Sequence, residues 1–262
     1  MINFEGQVIV ITGGCGTLGA AMAVELELCD ATVVILDMEN QNPREYAKKI
    51  TSHDRIFGFA IDITDETSVK DVFSVIVSEF GQINSVINSA AATGEMIVRD
   101  GGEFPSFEET PLESWKKVMD VNITGNFLIA REIGPIFIKQ EYGNLLNVSS
   151  IYGIRAPDHR IYEGQPFSSF AAYSASKAAV HGLTMWLATY WAAKHIRVNT
   201  LVPGGVFNDH NDEFSNSYSN RTPLGRMAVP SDMVGMALFL ISNRADYITG
   251  QQFIVDGGLS AW

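Results

Sequence analysis

The run QVIVIT at Gln7–Thr12 is short, apolar and β-branched, and it breaks into Gly13-Gly14-Cys15-Gly16-Thr17-Leu18-Gly19. An Ala- and Leu-rich helical segment follows to about Cys29, and TVVILD at Thr32–Asp37 is a second buried strand. Strand, glycine turn, helix and strand within ~30 residues make a βαβ unit. Within it Gly14-x-Gly16-x-x-Gly19 fits the spacing at which glycines permit a tight turn, let the backbone approach a pyrophosphate, and bring helix against strand. The helix N-terminus then offers free N–H groups and a positive dipole end to phosphates. The purely structural alternative is a glycine turn that packs the unit and holds nothing.

The alternation continues along the chain. Ile56–Ile61 reads as a third strand ended by Asp62-Ile63. Thr64 or Asp65 then caps a helix whose Val69, Val72, Phe73, Ile76, Val77 and Phe80 keep the helical period up to Gly81. Ser85–Ala90 is a fourth strand, and Asn88 at its carboxyl end either braces the sheet or lines a crevice. Thr110-Pro111-Leu112-Glu113 reads as a capping box opening a helix that Pro135 kinks or ends. Gly143–Ser149 and Ile196–Val202 are the fifth and sixth strands, Ser231 caps a helix to about Ser242, and Gln252–Val255 is the last strand. Residues 207–223 read as a polar, mobile segment.

Seven strands alternating with helices predict an α/β fold, a Rossmann-type doubly wound parallel sheet with helices on both faces, in one domain over 1–262. Ligands bind such sheets outside the carboxyl ends of the strands. Gly14–Gly19, Asp37, Asp62, Asn88, Ser150 and Pro203–Gly205 all fall there. Asp37 lies 18 residues past Gly19, where a carboxylate can accept both adenosine ribose hydroxyls and would repel a 2′-phosphate. No basic residue occurs among 13–19 or next to Asp37, so the reading is NAD over NADP.

Tyr173 and Lys177 are four apart in the helical stretch Ala171–Lys194, on one face. An ammonium beside a phenol favours phenolate, drawing the phenol pKa down from ~10 towards working pH and making it a proton donor and acceptor for an alcohol or carbonyl oxygen. The bland reading is an aromatic ring packed beneath a lysine stem. The crevice residues are what favour the chemical one.

A net charge of −12 argues against nucleic acid or an anionic membrane as the main partner. Cys15 and Cys29 are the two cysteines, which suggests neither a disulfide framework nor a metal cluster. No apolar run reaches ~18 residues, and the acidic N-terminus enters a strand at once, so a cytoplasmic chain without a membrane span is expected.

Taken together, TGGCGTLG, Asp37, Asp62-Ile63, NSAA at Asn88, Asn122 in VNITGNF, VSS ending at Ser150, YSASK at Tyr173–Lys177, RVNTLVPGG and VDGG resemble the compact branch of the short-chain dehydrogenase/reductase family over essentially the whole chain. The resemblance implies a tetrad. Tyr173 is the general acid/base, Lys177 lowers its pKa and holds the nicotinamide ribose, Ser150 bonds the substrate oxygen, and Asn122 positions a proton-relaying water. It also implies that Gly13, Gly14, Gly16, Thr17, Leu18, Gly19, Asp37, Asp62, Ile63, Asn88, Ala90, Pro203, Gly204 and Val206, with Tyr173 and Lys177, hold NAD. The expected reaction is exchange of a secondary alcohol and a ketone.

Three features depart from the usual pattern. Thr17 stands where the compact branch has its middle glycine, a spacing closer to sugar epimerases and dehydratases. Ser89-Ala90-Ala91 replaces the usual Asn-Ala-Gly. Ser150 and Tyr173 are 23 apart, about ten more than usual. Loops at 93–110, 151–170 and 206–226 are expected to form the substrate site. Arg155, Arg160 and Phe207 are candidate substrate residues, and Arg221 and Arg226 also fall in these segments. Guanidinium groups suit a polar or anionic sugar derivative, and salt bridges are the alternative use for them. PGGVFND, PLGRMA and ITGQQFIVDGG also look like relatives from bacterial surface-sugar and flagellin-glycan pathways. Other readings are a 3-oxoacyl thioester reductase, an NAD-retaining epimerase or dehydratase, and a non-catalytic NAD sensor. Apolar residues in excess of one stripe on the helices near 112–139 and 171–194 suggest a homodimer or homotetramer.

Overall fold

β1 (Val8–Thr12) is buried at every residue because it is an interior strand of a parallel sheet, paired with β2 (Thr32–Asp37) on one side and β4 (Ser85–Asn88) on the other. The sheet is completed by β3 (Ile56–Ala60), β5 (Gly143–Val148), β6 (Ile196–Pro203) and β7 (Gln252–Val255), in the order β3-β2-β1-β4-β5-β6-β7. The computed structural model describes residues 2–94 and 104–262. The part of the 93–110 loop at 95–103 therefore lies outside the described residues.

Alternate residues of β1 feed two cores, as strand geometry requires. Val8 and Val10 pack with α3 (Glu66–Phe80), α5 (Asn126–Gln140) and α6 (Ala171–Trp191). Ile9 and Ile11 pack with α1 (Thr17–Leu28), α2 (Pro43–Ile50) and α8 (Ser231–Ile241). Both faces covered by helices is why β1 and β2 are apolar runs rather than alternating ones. The strand order reverses between β1 and β4, and the crevice at that switch point opens towards their carboxyl ends.

Three local readings change. Asp65 caps α3, accepting from the Thr67 N–H, but Thr110 caps nothing: its hydroxyl donates to the Ser106 carbonyl, and α4 (Leu112–Met119) begins behind Pro111. Pro135 lies inside α5, which continues past it. The irregularity comes earlier, as a π-helical turn at Asp120–Gly125 between α4 and α5. The polar segment 207–223 contains α7 (Asp212–Ser219), capped by Asn211, whose side-chain Oδ1 accepts from the Phe214 N–H. Phe214 and Tyr218, four apart, are buried by that helix, which is the apolar gain the polar composition conceals.

Candidate active site

A cleft of about 380 Å³ runs along the carboxyl ends of the strands, from the glycine turn to the start of α6. Gly13, Gly16, Thr17, Leu18 and Gly19 line one end. Gly13 has φ +67°, and a Cβ there would stand 2.7 Å from the Ala90 backbone, so only glycine fits between β1 and β4. A Cβ on Gly19 would land on the Gly13 carbonyl oxygen and 2.8 Å from Gly14 Cα. Gly16 precedes α1 in an extended conformation with no side-chain cap, so the first N–H groups of the helix have no side-chain acceptor. That end suits an anionic phosphate group. Thr17 donates its hydroxyl proton to Asn208 Oδ1 at 3.1 Å, joining the glycine turn to the segment after β6.

Asp37 ends β2 with its carboxylate folded against this turn, accepting from the Cys15 and Met38 N–H groups at 2.9 Å each. Burial, and secondarily the charge of Asp37, pushes the Cys15 thiol up to about 12, which leaves it an unreactive packing residue. Asp62 is exposed and accepts from the Thr64 N–H and hydroxyl, shaping the entry to α3, while Ile63 is buried. Asn88 faces the sheet interior rather than the crevice. It donates to Asn147 Oδ1 at 3.0 Å, and Asn147 donates to Thr184 on α6. Of the two uses foreseen for Asn88, bracing is the one its side chain performs. Pro203, Gly204 and Val206 line the cleft beyond β6.

The central wall carries Ser150, Tyr173 and Lys177 together. Lys177 is buried and donates to the Val148 carbonyl at 2.9 Å, and its Nζ lies 5.6 Å from the Tyr173 ring centroid. Burial disfavours its charged form and lowers its pKa to about 8. Ser150 follows β5, and its Oγ accepts from the Tyr152 N–H at 3.2 Å. The neighbouring Ser149 hydroxyl donates to the Lys177 carbonyl at 2.8 Å and lies 3.2 Å from His181 Nε2. Its single proton is spent on that carbonyl, so His181 donates through Nε2. Burial first, and then the Lys177 charge, hold the imidazole pKa below its usual value. This pair pins the end of β5 to α6, fixing Ser150 relative to Lys177.

Asn122 sits in the π-helical turn with its amide fully engaged. Its Oδ1 accepts from the Ala92 N–H at 2.7 Å, and its Nδ2 donates to the Ala92 carbonyl at 3.0 Å and to Ser176 Oγ at 2.9 Å. The side chain therefore ties the end of the β4 segment to α6.

The candidate substrate residues fare differently. Arg155 donates to the Ser260 carbonyl at 2.6 Å, Arg160 and Arg221 both pair with Asp158, and Arg226 pairs with Asp232. None of the four is part of the main cleft's lining, and Phe207 is also outside it. The cleft lining is aromatic instead, and includes Tyr152, Tyr162, Phe167, Phe170, Phe214 and Tyr218. These residues come from the enlarged 151–170 loop and from α7, and the i, i+4 pair Phe214 and Tyr218 is the signal that could have marked the latter. Among the described residues no group of His, Cys, Asp and Glu could hold a metal ion, and no helix is long and apolar enough to cross a membrane.

A family model described as enoyl-(acyl carrier protein) reductase matches residues 15–260. The 3-oxoacyl-[acyl-carrier-protein] reductase FabG of Thermotoga maritima is 30% identical, over 98% of this chain and 99% of its own. The 2-dehydro-3-deoxy-D-gluconate 5-dehydrogenase of Dickeya dadantii is 32% identical, over 98% of this chain and 96% of its own. A short chain dehydrogenase from Leptospira borgpetersenii, solved with bound NAD+, superposes with a TM-score of 0.86 at 31% identity, covering 98% of this chain and 94% of that one. With a glycine-turn crevice and a Ser-Tyr-Lys wall on a seven-stranded parallel sheet, and these matches along nearly its full length, the chain belongs to the short-chain dehydrogenase/reductase family, oxidoreductases that use a nicotinamide cofactor on small molecules.

Proposed function

We propose that the chain is one NAD(H)-dependent catalytic unit that interconverts a secondary alcohol and a ketone on a neutral, polar ring such as a sugar derivative. The observation that carries this reading is the meeting of Ser150, Tyr173 and Lys177 on one wall of the cleft whose other end is the glycine turn. In oxidation Tyr173 takes the alcohol proton, Ser150 holds the same oxygen, and the Lys177 ammonium stabilises the phenolate. Asn122 holds Ala92 and Ser176 in register with this wall. The glycine turn, Asp37 and Lys177 would hold NAD, and the bound nicotinamide supplies the hydride acceptor. The anionic version of the substrate loses its support because the four arginines are spent on Asp158, Asp232 and the Ser260 carbonyl. Two unpaired thiols, Cys15 and Cys29, fit a cytoplasmic enzyme.

The test is a panel of sugars, sugar phosphates, nucleotide sugars, hydroxyacids and 3-oxoacyl thioesters, followed by nicotinamide absorbance with NAD(H) and NADP(H). A sugar or ring alcohol is expected to turn over, with kcat/KM at least about 100-fold higher for NAD than NADP, since a carboxylate facing a 2′-phosphate costs about 3 kcal/mol. Asp37→Ala is expected to reduce that preference to about tenfold or less. Equal use of both cofactors by the unaltered chain contradicts the role of Asp37. Turnover of thioesters alone contradicts the ring substrate.

A homodimer or homotetramer belongs to the same proposal. α5 and α6 expose Phe127, Met185, Trp186 and Tyr190, and Trp186 stacks on Tyr190 with ring centroids 4.7 Å apart. Light scattering after size exclusion is expected to give two or four chains per particle. The mass of a single chain refutes it.

A further inference from the structure

The hydroxyls of Tyr152 and Tyr162 bond each other at 2.7 Å on the wall of the cleft that also carries Ser150 and Tyr173. Each phenol has one proton, so the pair spends one on itself and keeps one O–H donor, together with lone pairs that can accept. The ring of Tyr162 is already held by Phe167 and Phe214, with centroids 6.1 and 5.5 Å away. Closing the enlarged loop therefore does not depend on the hydroxyl bond. The Tyr152 main chain, in turn, donates its N–H to the Ser150 hydroxyl at 3.2 Å, which ties the Tyr152 backbone to the serine proposed to bind the substrate oxygen. Both phenols line the same cleft as Tyr173.

We propose that the Tyr152–Tyr162 hydroxyl pair is a second oxygen-recognition point that selects a neutral cyclic substrate bearing a hydroxyl on the carbon next to the reacting one. The aromatic walls of Tyr162, Phe167 and Phe214 take the ring faces. The spare O–H and the lone pairs of the hydroxyl pair meet the vicinal hydroxyl, while Ser150 and Tyr173 take the reacting oxygen. Burial raises the pKa of both phenols, that of Tyr162 to about 12, so the pair is neutral at working pH and presents no cation to a carboxylate or phosphate. In oxidation the carbinol hydride leaves for NAD+ and its hydroxyl proton goes to Tyr173, while the vicinal hydroxyl is unchanged.

The inference rests on the alcohol–ketone reading above, and its test separates the two. The probes are cis- and trans-cyclohexane-1,2-diol against cyclohexanol, each with NAD+, and the readout is the ratio of kcat/KM for diol over monool. The unaltered chain is expected to favour one diol by about tenfold, the worth of one neutral hydrogen bond. Tyr162→Phe and Tyr152→Phe each keep a ring and remove one hydroxyl, and either is expected to lower that ratio about tenfold. Melting curves identify a variant that has not folded, in which case the other variant decides. A ratio near one in the unaltered chain, or one that a folded variant leaves in place, overturns the subsite. If the chain turns over neither probe yet exchanges hydride with another member of the broader panel, the subsite is overturned and the oxidoreductase reading stands. If no carbonyl or alcohol at all is turned over, both fall.

Discussion

Replacing Lys177 with methionine is expected to stabilise the chain near neutral pH and to lower kcat by about 10³-fold. Both effects come from the same buried ammonium. Its pKa falls from 10.5 to about 8 because burial disfavours the charge. At about 1.4 kcal/mol per unit, that shift corresponds to roughly 3 kcal/mol of native-state destabilisation below pH ~8. Methionine removes this penalty but leaves the Val148 carbonyl without its donor, worth about 1–2 kcal/mol. A net gain of about 1–2 kcal/mol remains. The sign of the pH dependence follows from proton counting. Between pH ~8 and ~10.5 the unfolded lysine holds a proton that the folded one has released, so the stability of the unaltered chain rises with pH across that window. The advantage of the variant is therefore full below pH ~8 and fades by pH ~10.5. Denaturant unfolding of both chains at about pH 7 and pH 10 measures it, and a variant that is less stable at both, by the same margin, contradicts the burial argument.

Gly19→Ala is expected to destabilise the fold by about 3 kcal/mol and to abolish NADH binding. The added methyl group meets the Gly13 carbonyl oxygen and Gly14 Cα, both main-chain atoms of the turn proposed to hold the cofactor's phosphates. Main chain cannot swing aside as a side chain can, so the strand–turn–helix join itself has to open. Gly235→Ala in α8 is the control. Its Cβ has no neighbour within 4 Å, and in a helix interior alanine should add about 0.5–1 kcal/mol. Comparable losses for the two variants, measured by thermal unfolding and by NADH fluorescence titration, contradict the close-approach argument.

These two positions were visible in the sequence because their roles follow from local chemistry. A glycine fingerprint between two apolar runs, and a tyrosine four residues before a lysine, each state a requirement that neighbouring residues can be checked against. Apolar runs likewise marked β1 and β2, since strands covered on both faces leave continuous hydrophobic segments. The π-helical turn at Asp120–Gly125 was not legible. Its residues have no distinguishing propensity, and its geometry is bound up with the contacts Asn122 makes to Ala92 and Ser176, which are distant in sequence. α7 was hidden by polar residues that outnumber the two aromatics it buries. The use of the arginines was not legible for a related reason: charge near a site says nothing about where the charge is spent, and Asp158 takes both Arg160 and Arg221. The aromatic lining of the cleft joins Tyr152 and Phe167 of the 151–170 loop to Phe214 of α7, a convergence that only the folded chain displays.

Tyr173→Phe tests the central claim most directly, because it removes one oxygen and keeps the ring beside Lys177. NADH titration of the variant should give a Kd within about twofold of the unaltered chain, while kcat on any accepted alcohol falls by about 10³-fold. Turnover retained to within tenfold, with binding intact, would show that Tyr173 does not move the proton.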